Sequence, residues 1–307
     1  MTGHTSYLSA PEYVLGEIEM DHTMIPTLTE RANELRIPAT ARLWGWGQIR
    51  RTERGIAELA VASGAATLRA ARLDPGEVDA LMLCSTKFPG DAHTHGGFVR
   101  EILTGLGMTD PAFLGITLNR CTNLLAALQV AGALVASGAH RTVLVVTTDR
   151  IDDEATRMEN FALFSDGAAS CLVSRAMPAD GFELVAGASA QQAAELNFAT
   201  EINSDLARRV SKDLLDPLGL DVADVATLSH TNLFTPLVVL KERQAGFATA
   251  QLYTENIARI GHCFAADPLI NLVDRSRSAP PAPGSYHLLA ASVPGSRIGV
   301  LLRKLAV

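Results

Sequence analysis

Two stretches of this chain, 147 residues apart, can be laid on each other, and that repeat constrains the fold more than any other feature. Leu73-Asp-Pro-Gly-Glu-Val-Asp-Ala-Leu-Met-Leu-Cys84 aligns with Leu220-Asp-Val-Ala-Asp-Val-Ala-Thr-Leu-Ser-His-Thr231, with Leu, Asp, Val and Leu recurring at matching places. Each copy follows a helix-like stretch, residues 55–71 in the first and 201–215 in the second. Each then turns β-prone and enters a polar loop. Taken as a true repeat, this makes the chain two fused α/β halves, residues 1–175 and 176–307, joined near 174–181. In such sheets ligand-binding loops begin where strands end. The first copy therefore presents the loop from Lys87 to His95, and the second presents His230-Thr-Asn232.

Between the copies lies the segment with the clearest chemistry. Residues 112–117 are a short apolar run expected to form a buried strand. Residues 122–137 contain no charge and are expected to form a buried helix. Cys121 falls at the turn between them. There the unpaired N–H groups and positive end of a helix favour an anion, which lowers a thiol pKa and suits a nucleophile. The alternative is an inert buried cysteine. The four cysteines show no paired spacing, so they are expected as reduced thiols in a cytoplasmic protein with no zinc.

Composition narrows the class. With 48% hydrophobic and 19% charged residues, the chain reads as a globular enzyme. A net charge of −7 argues against non-specific nucleic-acid binding. No secretory signal is expected at the N-terminus, and the longest apolar stretch is too short to span a bilayer.

Three later segments carry polar residues at expected strand ends. Phe164-Ser-Asp-Gly-Ala168 has an Asp-Gly turn, a hairpin-like signal feeding a strand. His230 ends a strand before a helix, and His262 lies in a loop before another. With Asn-Arg-Cys121-Thr-Asn, these segments resemble in order and spacing the motifs of the thiolase superfamily, within it the ketoacyl-acyl carrier protein synthase III group. The resemblance implies an α/β thiolase fold of two similar halves in five layers, α-β-α-β-α, and a homodimer. It also implies an acyl thioester of coenzyme A or acyl carrier protein as substrate, with no bound cofactor.

The departures from the family sharpen the reading. The family's second active-site partner, an Asn after Gly, is here His262, and the last Ser of that motif is Asp267. Cys, His and Asp suit deprotonation of a hydroxyl or amine that attacks an acyl-cysteine, with Asp267 orienting the imidazole. This pattern resembles an acyltransferase subgroup that works on natural products. Asp267 precedes Pro268, so it is equally a candidate helix N-cap. His230 remains as a second active-site His, and Asn232 either polarises a substrate carbonyl or caps the next helix. In place of the family's Gly-rich turn stands Ala291-Ser-Val-Pro-Gly-Ser296. Pro294 cannot donate an N–H, which leaves Gly295 as the candidate second oxyanion donor. Arg50, Arg51 and Arg54 form a basic cluster that could receive the phosphate or acidic face of a carrier, or be a solvated helix start. The leading function is acyl transfer through acyl-Cys121. The alternatives are a decarboxylating carbon–carbon synthase, with His230 and His262 on the malonyl carbonyl, and a silent subunit of a heterodimer.

Overall fold

The run of residues 80–84 is apolar at every position, and in the computed structural model every one of them is buried. Such a strand needs neighbours on both edges and cover on both faces. The structure describes residues 4–196 and 203–306. In chain order the first part contains β1 (Tyr7–Leu15), β2 (Ile18–Asp21), α1 (Leu28–Glu34), α2 (Ala41–Trp44), β3 (Gln48–Arg51) and α3 (Ile56–Ala71). It continues through β4 (Ala80–Cys84), α4 (His95–Leu106), β5 (Ala112–Ile116), α5 (Asn123–Ala136), β6 (Thr142–Asp149) and β7 (Gly167–Ser174). The second part contains β8 (Phe182–Gln191), α6 (Ser204–Leu215), β9 (Val225–Ser229), α7 (Thr235–Gln244), α8 (Glu255–Ile260), α9 (Asp267–Ser278), β10 (Tyr286–Val293) and β11 (Ser296–Lys304).

The large sheet runs β5-β4-β6-β7-β1-β8-β11-β10-β9. β1 and β8 meet only at Tyr7–Glu183 and Leu8–Phe182, so this join separates two sheets of matching design. From the join outward, the first goes β1, β7, β6, β4, β5 and the second β8, β11, β10, β9. In both, the first three strands pair antiparallel and the next pair is parallel. A lone parallel bridge from Leu228 to Leu252 stands where a fifth strand of the second sheet would lie. The aligned repeats adopt one local structure. Each forms a single 3₁₀ turn, Pro75–Glu77 or Val222–Asp224, feeding β4 or β9. Glu77 and Asp224 each accept the N–H of the aligned Asp three residues earlier, closing the turn the same way.

The layers follow from which helices can be buried on two sides. α5 carries no charge and packs on strands of both sheets, and its Gln129 donates to the carbonyls of Ala188 and Gly299. α9 also contacts both sheets. These two helices and the strand faces around them form the central core. α3 and α4 cover the outer face of the first sheet, with their own core of Leu68, Leu81, Ile102 and Leu144. α6 covers the outer face of the second. Its Leu206, Val210 and Leu214 face the sheet, while Arg208, Arg209 and Lys212 face solvent. The result is the α-β-α-β-α thiolase arrangement. Residues 201 and 202 of the expected helix over 201–215 lie outside the described residues. No helix among the described residues is long and apolar enough to cross a membrane.

This symmetry positions the chemistry. Cys121 lies after β5 and just before α5, in the 3₁₀ turn Arg120–Thr122. His262 lies after the Leu252 bridge and just before α9. The ends of the two central helices thus bring one residue from each half together.

Candidate active site

Cys121 Sγ lies 3.3 Å from His262 Nε2, and His262 Nδ1 lies 2.5 Å from Asp267 Oδ2. His262 and Asp267 are wholly buried, while Cys121 is half-buried at the floor of a cleft of about 310 Å³. Because the Asp267 carboxylate can only accept, the imidazole donates from Nδ1 and turns Nε2 to the sulfur. Burial by itself would lower the His262 pKa. The charges of Asp267 and of the Cys121 sulfur outweigh burial and raise it to about 10. The His262 imidazole is therefore protonated at neutral pH.

The local sequence builds this alignment with backbone contacts. His262 N–H donates to Leu163 O and its carbonyl accepts from Ser165 N–H, which stitches the 262 loop onto residues 163–165. Gly261 permits the approach. Its φ is +68°, and a Cβ there would lie 2.7 Å from Leu163 O. Phe164 stands 4.8 Å from the His262 ring between centroids, with Phe161 and Phe264 beyond it. These rings keep water from the imidazole and strengthen its pairing with Asp267.

Asp267 is not an N-cap. It is the first residue of α9, and its carboxylate points away from the helix N–H groups. Oδ2 accepts from Asn232 N–H at 2.7 Å as well as from His262, and Oδ1 accepts from Cys263 N–H at 2.7 Å. Three N–H donors hold this buried charge in place. Asn232 neither reaches the cleft nor caps α7. Its amide donates to Gly261 O and accepts from Asn271, so its role is to brace the 261–267 loop.

Other expected residues are placed differently. His230 is buried, donates from Nδ1 to Thr231 O, and leaves Nε2 without a partner. It does not line the cleft; its neighbour Thr231 does. Burial lowers the His230 pKa and keeps it neutral. Gly295 does not line the cleft either. It sits at φ +67° in the turn between β10 and β11 with its Cα facing residues 192–196, whereas Ser292, Val293 and Pro294 do line the cleft. The expected Asp-Gly hairpin turn is also corrected. Asp166 is buried, takes a salt bridge from Arg157 and accepts from Thr52 and Ile151 N–H, so it anchors the segment that carries Leu163 and Phe164. Arg50 and Arg51 lie on β3 and Arg54 in the loop after it, not at a helix start. They pair with Glu19, Glu154 and Glu17. Among the described residues no group of three or more His, Cys, Asp or Glu could hold a metal ion.

The sequence expectations singled out neither Thr231 nor Arg120, two residues of the cleft. Thr231 lines the cleft with its hydroxyl buried and unpartnered. Arg120, directly before Cys121, donates to Pro294 O at 2.9 Å. The sequence signal was present in each case: one is adjacent to His230, the other to Cys121. A separate depression of about 1040 Å³, lined by parts of residues 9–12, 70–73 and 174–182, holds none of these groups.

Comparison with known proteins agrees with this geometry. Residues 117–190, which include Cys121 and the Phe164–Ala168 segment, match the family described as 3-oxoacyl-(acyl-carrier-protein) synthase III. The similarity to that family lies in about a quarter of the chain. A beta-ketoacyl-(acyl-carrier-protein) synthase III of Synechococcus elongatus is 34% identical over 121 residues, covering 38% of this chain and 34% of the relative. The match thus spans about a third of that curated relative's length. Among solved structures, the 3-oxoacyl-(acyl-carrier-protein) synthase III of Aquifex aeolicus superposes with a TM-score of 0.79 at 17% identity, covering 97% of this chain and 99% of that one. A structure described as ChlB3, an acyltransferase, gives 0.82 at 15% identity, covering 98% of each chain. At these identities the likeness is one of fold.

Proposed function

We propose that this protein is an acyltransferase that moves an acyl group from a thioester onto a hydroxyl or amine through acyl-Cys121. The observation that carries this reading is the line Cys121 Sγ, His262 Nε2, His262 Nδ1, Asp267 Oδ2, with the imidazole tautomer set by a carboxylate. A neighbour of the same fold named as an acyltransferase also supports it.

Cys121 reacts as the thiolate beside protonated His262, and its sulfur attacks the thioester carbonyl. The tetrahedral intermediate collapses, the donor's thiolate leaves, and His262 gives its proton to it. The products of this half-reaction are acyl-Cys121, free donor thiol and a neutral imidazole. With the sulfur acylated, His262 no longer faces a thiolate and can act as a base. It removes the proton of the acceptor as that group attacks the acyl carbonyl. Collapse releases the ester or amide and restores the thiolate–imidazolium pair. Coenzyme A or an acyl carrier protein supplies the thioester, no further cofactor is required, and the acceptor is a small natural-product nucleophile. Homodimer formation is part of the same reading, as is a cytoplasmic location.

Intact-mass analysis tests the proposal. After mixing with a panel of acyl thioesters, the protein should gain one acyl mass on Cys121, and hydroxyl or amine acceptors should discharge it. Discharge only by malonyl carrier protein would show condensation instead.

A further inference from the structure

Arg120 is an unusual arginine for this molecule. Every other arginine either pairs with a carboxylate or lies at the surface, apart from half-buried Arg275, which donates to the carbonyls of Ala250 and Leu252. Arg120 is half-buried, lines the cleft beside Cys121, and forms no ion pair among the described residues. The one side-chain hydrogen bond it makes among the described residues goes from Nη2 to Pro294 O. The carboxylate that shares the cleft, Glu159, is already held by Arg31 through both oxygens. Among the described residues, the cleft therefore contains a cation that no carboxylate answers. A guanidinium presents five N–H donors in a planar fork that matches a carboxylate, and a partly desolvated site strengthens that match.

We propose that Arg120 makes the cleft selective for a substrate that carries a carboxylate near its reacting centre. The inference rests on Cys121 as the acyl carrier. The carboxylate can belong to the acyl chain of the donor or to the acceptor, and the two half-reactions separate these sources. If it belongs to a malonyl-type donor, the contact has a chemical consequence. Loss of carbon dioxide would take negative charge away from the guanidinium, so Arg120 stabilises the intact carboxylate and opposes decarboxylation.

The test uses matched pairs. Loading of Cys121 by malonyl- and propionyl-coenzyme A, and by succinyl- and butyryl-coenzyme A, is followed by intact mass. Discharge of propionyl-Cys121 is then compared for glycine against glycinamide and for lactate against lactamide. The anionic member should be favoured in one of the two steps by roughly 10- to 100-fold, the range expected for a hydrogen bond to a charged group. Arg120→Gln keeps a donor for Pro294 O but loses the charge, and should bring the ratio of the anionic to the neutral member to about one, whatever its effect on their absolute rates. Arg120→Lys should restore part of the preference. Preference in loading assigns the carboxylate to the donor, and preference in discharge assigns it to the acceptor. A wild-type protein without preference in either step, or a preference that survives in Arg120→Gln, overturns the proposal. Should no thioester load Cys121, the acyl-cysteine reading fails. The Arg120 contact is then read without turnover, as protection of Cys121 from iodoacetamide by malonate but not malonamide. Equal protection by both, or protection retained in Arg120→Gln, would overturn it.

Discussion

Replacing Asp267 by Asn changes one oxygen into an amino group, and the structure dictates what that does. The carboxylate now accepts three N–H groups: His262 Nδ1 and Asn232 N on one oxygen, Cys263 N on the other. An amide can face them in two ways. With its oxygen toward His262 and Asn232, its amino group meets the Cys263 N–H, leaving buried donors unpaired at a cost of about 1–3 kcal/mol in stability. The imidazole keeps its tautomer but loses the charge that holds its proton. With the amide reversed, the amino group forces the imidazole proton onto Nε2, where it points at the sulfur and no basic lone pair remains. The second arrangement resembles the loss of a triad carboxylate in serine proteases, about 10⁴ in rate. Discharge of acyl-Cys121 by an acceptor should therefore slow by roughly 10²- to 10⁴-fold. The assay is single-turnover: load Cys121, remove donor, add acceptor, and follow loss of the acyl mass. A discharge rate within about threefold of wild type would refute the role of Asp267 in orienting the base. A loss of melting temperature alone would leave it a purely structural anchor.

Four further outcomes follow from the same geometry. Iodoacetamide should modify Cys121 alone in the folded protein, because Cys84, Cys171 and Cys263 are buried and burial pushes their thiols up, Cys171 to about 12; Cys121→Ala should remove both this labelling and all thioester-dependent mass gain. His262 is raised from its ordinary 6.5 to about 10, so its pairing stabilises the fold fully below pH 6.5 and loses that contribution as pH rises through 10; melting temperature should fall over this range more steeply in wild type than in His262→Asn. Burial, with Arg275 and Lys304 nearby, lowers His287 to about 4, so stability should drop as pH falls from 6.5 toward 4, and His287→Gln should flatten that slope. Gly261→Ala combines φ +68° with a Cβ 2.7 Å from Leu163 O, and should cost more than about 1 kcal/mol by thermal denaturation while slowing discharge through a displaced His262.

Local pattern carried the elements that depend on local pattern. The uncharged run became α5, and the aligned repeats became matching turn–strand units. The apolar run before α5 became β5, but as a half-exposed strand at the sheet edge rather than the buried strand expected, because no strand among the described residues pairs beyond it. His262 in place of the family's Asn pointed to a base, and the distance to Cys121 agrees with that reading. What escaped the sequence depends on contacts between distant segments. Asp267 looks like an N-cap because Pro268 follows it, but Asn232, 35 residues away, and His262 claim its oxygens. Asp166-Gly167 looks like a hairpin turn until Arg157 buries the carboxylate in a salt bridge. The basic residues Arg50, Arg51 and Arg54 look free in sequence, yet each meets a glutamate brought in by β2, the turn before it or the 154–156 segment. Arg120 is the reverse case, a cation marked in the sequence only by its place next to Cys121, which the fold leaves without a carboxylate among the described residues.

The central claim is that Cys121, His262 and Asp267 transfer an acyl group without breaking a carbon–carbon bond. Turnover with a malonyl thioester labelled in its free carboxylate, in the presence of a hydroxyl or amine acceptor, tests it most directly. Label retained in the ester or amide product, with no carbon dioxide released in step with product, is the predicted result. Release of one labelled carbon dioxide per product formed would contradict the account and make the protein a condensing enzyme.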